Sequence, residues 1–378
     1  MIDRSITKMI VERLFKGKAI LLFGPRQTGK STLMDMLLSE KRNEVLVLNG
    51  DDADVRELLA NASSSRLKAI IGNKTILLID EAQRVEDVGL VLKVITDQIR
   101  SVQGIATGSS AFELQGKVNE PLTGRKYEFM LYPLSFEEMV MHHGLLEEKR
   151  LLEHRLIYGY YPEIVTQPGE EKERLRLLAS SYLYKDLLML GQIKKPVILE
   201  KILKALALQI GNEVNFTELA QISGADKKTV EKYIDLLEKA FVIFQLSAFS
   251  RNVRNEIRKG KKIYFYDCGI RNAIINNFKP LSTRTDAGAI WENFVVTERI
   301  KFLKNNKKEA LHYFWRTAQQ QEIDLLEETE DGLSGFECKW NDRVRAHVPL
   351  TFTKNYPGAI VRTISPAVVE NFITSIPL

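Results

Sequence analysis

Residues 18–40 read KAILLFGPRQTGKSTLMDMLLSE. The run from Ala19 to Phe23 carries neither a charge nor a turn former, as a strand buried on both faces requires. TLMDMLLSE, which follows Ser31, has the make-up of a helix. Between them GPRQTGKS, residues 24–31, fits the spacing G-x-x-x-x-G-K-[ST] in the strand, turn and helix context that this motif needs. Glycines at 24 and 29 let backbone N–H groups turn inward around phosphate oxygens, and the helix N-terminus adds the positive end of its dipole. Lys30 would reach the β and γ phosphates, and Ser31 would ligate Mg2+. Gly24, Pro25, Arg26, Gln27, Thr28, Gly29, Lys30, Ser31 and Thr32 are therefore the candidate nucleotide-binding residues, with ATP and Mg2+ as the expected ligands.

Outward from this loop, residues 18–131 alternate short β-rich runs with longer helical patterns: KAILLF, EVLVLN, TILLID, GIATGS and YEFMLY. Such alternation predicts a parallel sheet covered by helices. TILLIDEAQ is a buried strand that ends in Asp80 and Glu81, at the edge where ligands of open α/β sheets gather. Asp80 suits a direct or water-mediated Mg2+ role, and Glu81 can polarise an attacking water.

The extra strand EVLVLN between the two motifs, the adjacent Asp80 and Glu81, and TGSS at residues 107–110 resemble the core of AAA-type ATPases. The resemblance implies that Ser109 or Ser110 is the polar sensor near the γ-phosphate. More narrowly, LTGRKYEFMLYPLSFEE (122–138), GYYPEIV (159–165) and KIYFYDCGIRNAI (262–274) resemble the signatures of a bacterial and archaeal group of AAA-type ATPases that carry a conserved C-terminal domain of unknown function. The resemblance covers nearly the whole chain. Its loop motif is specific for nucleotide, whereas the other motifs mark membership and say little about substrate. Arg125, in LTGR, is a candidate for stabilising charge on the γ-phosphate, in cis or from a neighbouring subunit, a role worth about 10³–10⁵ in rate.

Four segments are expected: an AAA-type P-loop ATPase domain over 1–140, a helical linker or lid over 141–195, a winged helix-turn-helix over 196–275 and a mixed α/β domain over 276–378. In DKKTVEKYIDLLEKA, Val230, Tyr233, Ile234 and Leu237 share one face and leave Lys227, Lys228, Glu231 and Lys232 facing out, basic where a recognition helix meets DNA. RNVRNEIRKGKK follows, in which Arg251, Arg254, Arg258, Lys259, Lys261 and Lys262 are opposed only by Glu256. As a hairpin wing it would contact phosphates. A winged helix used only for packing is the competing account.

The last segment places Glu292 in the helix WENFVVTERIKFL, Asp324 in EIDLLE, and Glu337 and Lys339 in GFECKW. Residues two apart on a strand share a face, and a turn at 330–335 would bring Asp324 beside Glu337 and Lys339. Asp324 and Glu337 suit a second Mg2+, with Lys339 orienting or deprotonating water for attack on a phosphodiester. This resembles the D…E-x-K arrangement of the restriction-endonuclease-like superfamily, with Glu292 as its helical acidic residue. The same fold also occurs without cleavage.

Composition sets the outer bounds. A chain of 378 residues with 44% hydrophobic and 27% charged residues should form two to four domains with real cores. Its 54 Lys and Arg against 49 Asp and Glu leave +5, which neither demands nor excludes nucleic acid. Cys268 and Cys338 are too far apart in sequence for a zinc ribbon or a disulfide framework, so a reducing cytoplasm is expected. The first 18 residues space Ile2, Ile6, Met9, Ile10 and Leu14 as an amphipathic helix, and no run approaches the ~20 apolar residues of a membrane span. The expectation is thus a soluble, cytoplasmic ATPase that does not use a membrane. It acts on DNA through its C-terminal half, or gates a protein partner, or gates a Mg2+-dependent nuclease, with self-association compatible with each.

Overall fold

The computed structural model describes residues 2–61, 63–109, 121–189, 193, 195–250, 260–317, 319–344 and 348–375, excluding the side chains of 181–189. The chain divides into two compact units: residues 3–133 with 239–241, and residue 2 with 134–238 and 242–378.

In the first unit the expected β-rich runs become strands β1 (Ala19–Phe23), β2 (Val45–Asn49), β3 (Ile76–Asp80), β4 (Gln103–Gly108) and β5 (Lys126–Met130). They form one sheet in the order β2-β3-β4-β1-β5, every neighbouring pair parallel. β1 lies between β4 and β5 and is wholly buried. Its period-2 alternation divides the core: Leu21 and Phe23 join Leu77, Ile79, Leu92 and Ile95, while Ile20 and Leu22 join Ile76, Leu78, Leu33 and Met34. Helix α1 (Lys30–Leu37) supplies Leu33 and Met34, and α2 (Val88–Gln98) supplies Leu92 and Ile95. Each such side chain contributes about 1.5–3 kcal/mol of burial. The helix expected across the first 18 residues is only Thr7–Val11, because the chain then turns through left-handed Phe15 (φ 56°) and Gly17 (φ 73°).

The second unit is built on a sheet in the order β12-β11-β10-β9-β7-β8-β6. Its strands are β6 (Glu213–Val214), β7 (Ile243–Ala248), β8 (Lys261–Phe265), β9 (Leu311–Arg316), β10 (Glu322–Thr329), β11 (Gly332–Cys338) and β12 (Ile360–Ile364). The boundary expected at 275/276 therefore falls inside one sheet, since β7 pairs with β9 through Ser247↔Tyr313 and Ala248↔Phe314. The expected order of helix, helix, turn, helix and strand is present in 196–248. Helix α3 (Pro196–Leu208) and α4 (Phe216–Ser223) lead through Gly224 at φ 72° to α5 (Lys227–Lys239) and then β7.

Helix α6 (Ala287–Asn305) carries the core of this unit, burying Ile290, Trp291, Phe294, Val295 and Val296. The sequence signatures outside the phosphate loop turn out to be packing devices. Asp267 accepts hydrogen bonds from the Tyr160 and Ile270 amides at 2.7 and 3.0 Å. A Cβ on Gly159 would lie 2.1 Å from its carboxylate, so only glycine fits there. Asn272 donates to the Leu156 and Ile157 carbonyls, and Ser135 with Glu138 forms a capping box at the start of helix Phe136–His143.

Candidate functional site

β1 runs straight into the loop at 24–31. A Cβ on Gly24 would sit 2.2 Å from the Leu131 carbonyl oxygen, so the loop leaves the strand where no side chain fits. Gln27 (φ 58°) and Gly29 (φ 87°) take left-handed conformations that turn the loop into α1. Thr28 is buried and donates to the Pro25 carbonyl at 2.8 Å. Lys30 is buried, its ammonium held by the Gly24 and Pro25 carbonyls at 2.8 and 2.7 Å. Arg26 is half-buried, and Ser31 and Thr32 are exposed at the first turn of α1. Arg4, which the sequence does not single out, braces this turn by donating to the Thr28 and Tyr132 carbonyls at 2.8 and 2.6 Å.

The parallel register brings the end of β3 beside the loop. Ser31 Oγ donates to Asp80 Oδ2 at 2.8 Å, and Thr107 Oγ1 at the end of β4 donates to Asp80 Oδ1. Two hydroxyls thus meet on one carboxylate, a hard-oxygen donor chemistry that fits Mg2+. Glu81 follows in a left-handed conformation (φ 47°), and its backbone carbonyl would lie 2.4 Å from a Cβ on Gly50. Its carboxylate accepts from Gln83 Nε2, which also donates to Ser109 Oγ at 3.2 Å. Gln83 is buried and was not foreseen; a glutamine two residues past the acidic pair carries no spacing signal of its own. Ser110, the other sensor candidate, lies outside the described residues.

Arg125 requires a correction. β5 begins at Lys126 and runs parallel to β1 with Ala19↔Lys126 in register, so Arg125 lies at the edge of the sheet opposite the loop. Five strand residues separate the two edges, about 16 Å at the usual rise. Arg125 pairs instead with Asp97 at 2.8 Å, and a role on the nucleotide of its own chain is excluded by this distance.

In the second unit, Lys227, Lys228, Glu231 and Lys232 are exposed on α5, while Val230, Tyr233, Ile234 and Leu237 are buried. Lys227 lies 3.9 Å from Glu231. Arg251, Arg254 and Arg258 lie outside the described residues. The end of that basic run departs from a solvated wing: Lys261 is half-buried and donates to Ser247 Oγ at 2.8 Å, and the Lys262 side chain is wholly buried.

Glu292, Asp324, Glu337 and Lys339 do come together. β10 and β11 form an antiparallel hairpin with Leu325↔Phe336 in register, which sets Asp324 across from Glu337; the turn is tighter than expected, closing at Thr329↔Gly332. Lys339 Nζ contacts Glu337 Oε2 at 2.7 Å and Asp324 Oδ2 at 4.0 Å, and the Cys338 amide donates to Asp324 Oδ2 at 2.8 Å. Among these carboxylates stands Lys262, with Nζ 2.9 Å from Glu292 Oε1, 3.9 Å from Asp324 Oδ1 and in contact with Glu322. Tyr264 Oη donates to the same Glu292 oxygen at 2.6 Å.

Burial pushes Glu292 up to about 7 against the pull of Lys262, and burial with the neighbouring Asp324 charge raises Glu337 to about 7. Burial works against the Lys262 charge, but Glu292, Asp324 and Glu322 outweigh it and raise its pKa. Asp324 and Glu337, the pair expected from sequence to hold a second Mg2+, thus each stand beside a lysine ammonium, Asp324 beside Lys262 and Lys339 and Glu337 beside Lys339. Among the described residues no group of three or more His, Cys, Asp or Glu side chains is arranged to hold a metal ion. No helix among them is long and apolar enough to cross a membrane.

Residues 16–140 match the model of an AAA domain. Residues 149–281 and 287–372 match two domains of unknown function, DUF8612 and DUF4143. An uncharacterized protein of Mycobacterium tuberculosis is 28% identical over 348 residues, covering 88% of this chain and 75% of the relative. An ATPase of Dictyostelium discoideum, WRNIP1, is 30% identical over 112 residues, 28% of this chain and 13% of the relative. The Holliday junction branch migration motor RuvB of Thermotoga maritima overlaps 74% of this chain and 96% of its own at 17% identity, with a TM-score of 0.30. The matched model and the loop geometry together make residues 16–140 an AAA domain with a P-loop.

Proposed function

We propose that this protein binds ATP with Mg2+ at the edge formed by the loop 24–31, Asp80 and Ser109, and hydrolyses it with Glu81 as the group that polarises water. The observation that carries the reading is the convergence of Ser31, Asp80 and Thr107 on one point, with the Glu81 carboxylate held beside it by Gln83. Lys30 binds the β and γ phosphate oxygens, exchanging two neutral carbonyl partners for charged ones. Ser31 and Asp80 would hold Mg2+, which when bound neutralises charge developing on the phosphates. Glu81, fixed in orientation by Gln83, accepts the proton of the attacking water. Gln83 also reaches Ser109, so the sensor position and the base share one amide.

Steady-state phosphate release tests this reading. Glu81→Gln should keep ATP binding and lower turnover by about 10²–10⁴, and Lys30→Ala should abolish binding. Normal turnover in Glu81→Gln would overturn the assignment.

A second element of the reading is contact with DNA through Lys227 and Lys228, supported by their exposure at the N-terminal end of a helix whose other face is buried. Arg251, Arg254 and Arg258 would extend that contact. Duplex binding should then weaken with salt and fall in the Lys227→Ala/Lys228→Ala double variant. Phosphate release that DNA leaves unchanged, with no salt-dependent duplex binding, would point instead to a protein partner.

A further inference from the structure

We propose that Lys262 is the resident cation of the Glu292, Glu322, Asp324 and Glu337 cluster, standing where a divalent metal would otherwise be held, so that this cluster works without one. The inference is independent of the nucleotide site, which lies in the other unit.

Three observations carry it. The Lys262 side chain has no exposed surface, and its ammonium meets Glu292 at 2.9 Å, Glu322 in direct contact and Asp324 at 3.9 Å. An ammonium is a compact charge with three donors and no acceptor; Glu292 and Glu322 take hydrogen bonds from it and Asp324 adds a third negative charge nearby. Other groups also hold these carboxylates: Tyr264 binds Glu292 Oε1, the Cys338 amide binds Asp324, and Lys339 binds Glu337.

A second cation brought among these oxygens would be repelled by the Lys262 charge in a buried setting where solvent screening is weak. Nor can the lysine swing aside into solvent. It leaves β8 on the buried face, with its ammonium 5.6 Å from the centre of the Phe314 ring.

The test is Mn2+ binding to the nucleotide-free, full-length protein, read by electron paramagnetic resonance and by thermal midpoint. The unaltered protein should hold no Mn2+ that Asp324→Asn removes. Lys262→Met keeps the side-chain length and removes the charge. It should bind Mn2+ at least about tenfold more tightly than the unaltered protein, gain in midpoint on Mn2+ addition, and lose both effects when Asp324→Asn is added. A Mn2+ ion bound by the unaltered protein and lost in Asp324→Asn or Glu337→Gln would overturn the proposal. So would a folded Lys262→Met that gains no Mn2+ affinity. If Lys262→Met does not fold, the comparison of the unaltered protein with Asp324→Asn still decides.

Discussion

Two buried lysines, Lys30 and Lys262, sit in the two units with opposite surroundings. Lys30 is held by two backbone carbonyls, dipoles that a phosphate oxyanion readily outcompetes. Lys262 faces three carboxylates, which match its charge and leave little attraction for a further anion. Burial alone does not mark a functional lysine. The charge already around it decides whether it can meet a ligand or serves to hold the fold.

Stability should separate the two most sharply. Removing one partner of a buried ionic cluster costs about 3–5 kcal/mol, so Lys262→Met should lower the urea midpoint strongly. Lys30→Ala loses two hydrogen bonds to backbone carbonyls and should lower it less. Equal losses in the two variants would break the contrast.

Within the nucleotide site, Gln83→Leu should lower turnover about tenfold while ATP affinity stays within about twofold, as expected for a residue that only orients the base. Parallel phosphate-release and nucleotide titrations would show it.

A smaller effect is expected from pH. Glu292 and Glu337 are held up to about 7 in the fold, against roughly 4.3 in an unfolded chain. Between those values the folded state binds more protons, so stability falls as pH rises through that window. Urea midpoints at the two ends of the window should differ less in Glu292→Gln than in the unaltered protein. The smallest change belongs to Arg125→Ala, which removes one half-exposed ion pair with Asp97; turnover should stay within about twofold.

The phosphate loop and its acidic neighbours were legible in sequence because their signal is a local demand on the backbone. Glycine is needed where Gly24 meets the Leu131 carbonyl, and an acidic pair must end a buried strand. For Arg125 the pairing of Ala19 with Lys126 puts it at the far end of β5 from the loop of its own chain, which bears on the cis alternative and leaves the one from a neighbouring subunit as it stood. The hairpin of Asp324 and Glu337 was readable from strand periodicity. The role of Lys262 was not, since it closes a run of basic residues and its partners lie on a distant helix and strand. Gln83 and Arg4 act through hydrogen bonds to residues that no sequence spacing announces.

The order of strands has a consequence for synthesis on the ribosome. The first sheet has all its strands once Met130 has emerged, whereas the second begins at Glu213 and takes its last strand from Ile360–Ile364. At ordinary elongation rates, on the order of ten seconds or more pass between these two moments. During that interval β11 has no parallel neighbour, and the apolar face of α6 lacks the Ile364 carbonyl that receives the Trp291 indole. The nascent chain therefore carries a complete first sheet while its second sheet is still an open edge, a period in which chaperones have most to protect.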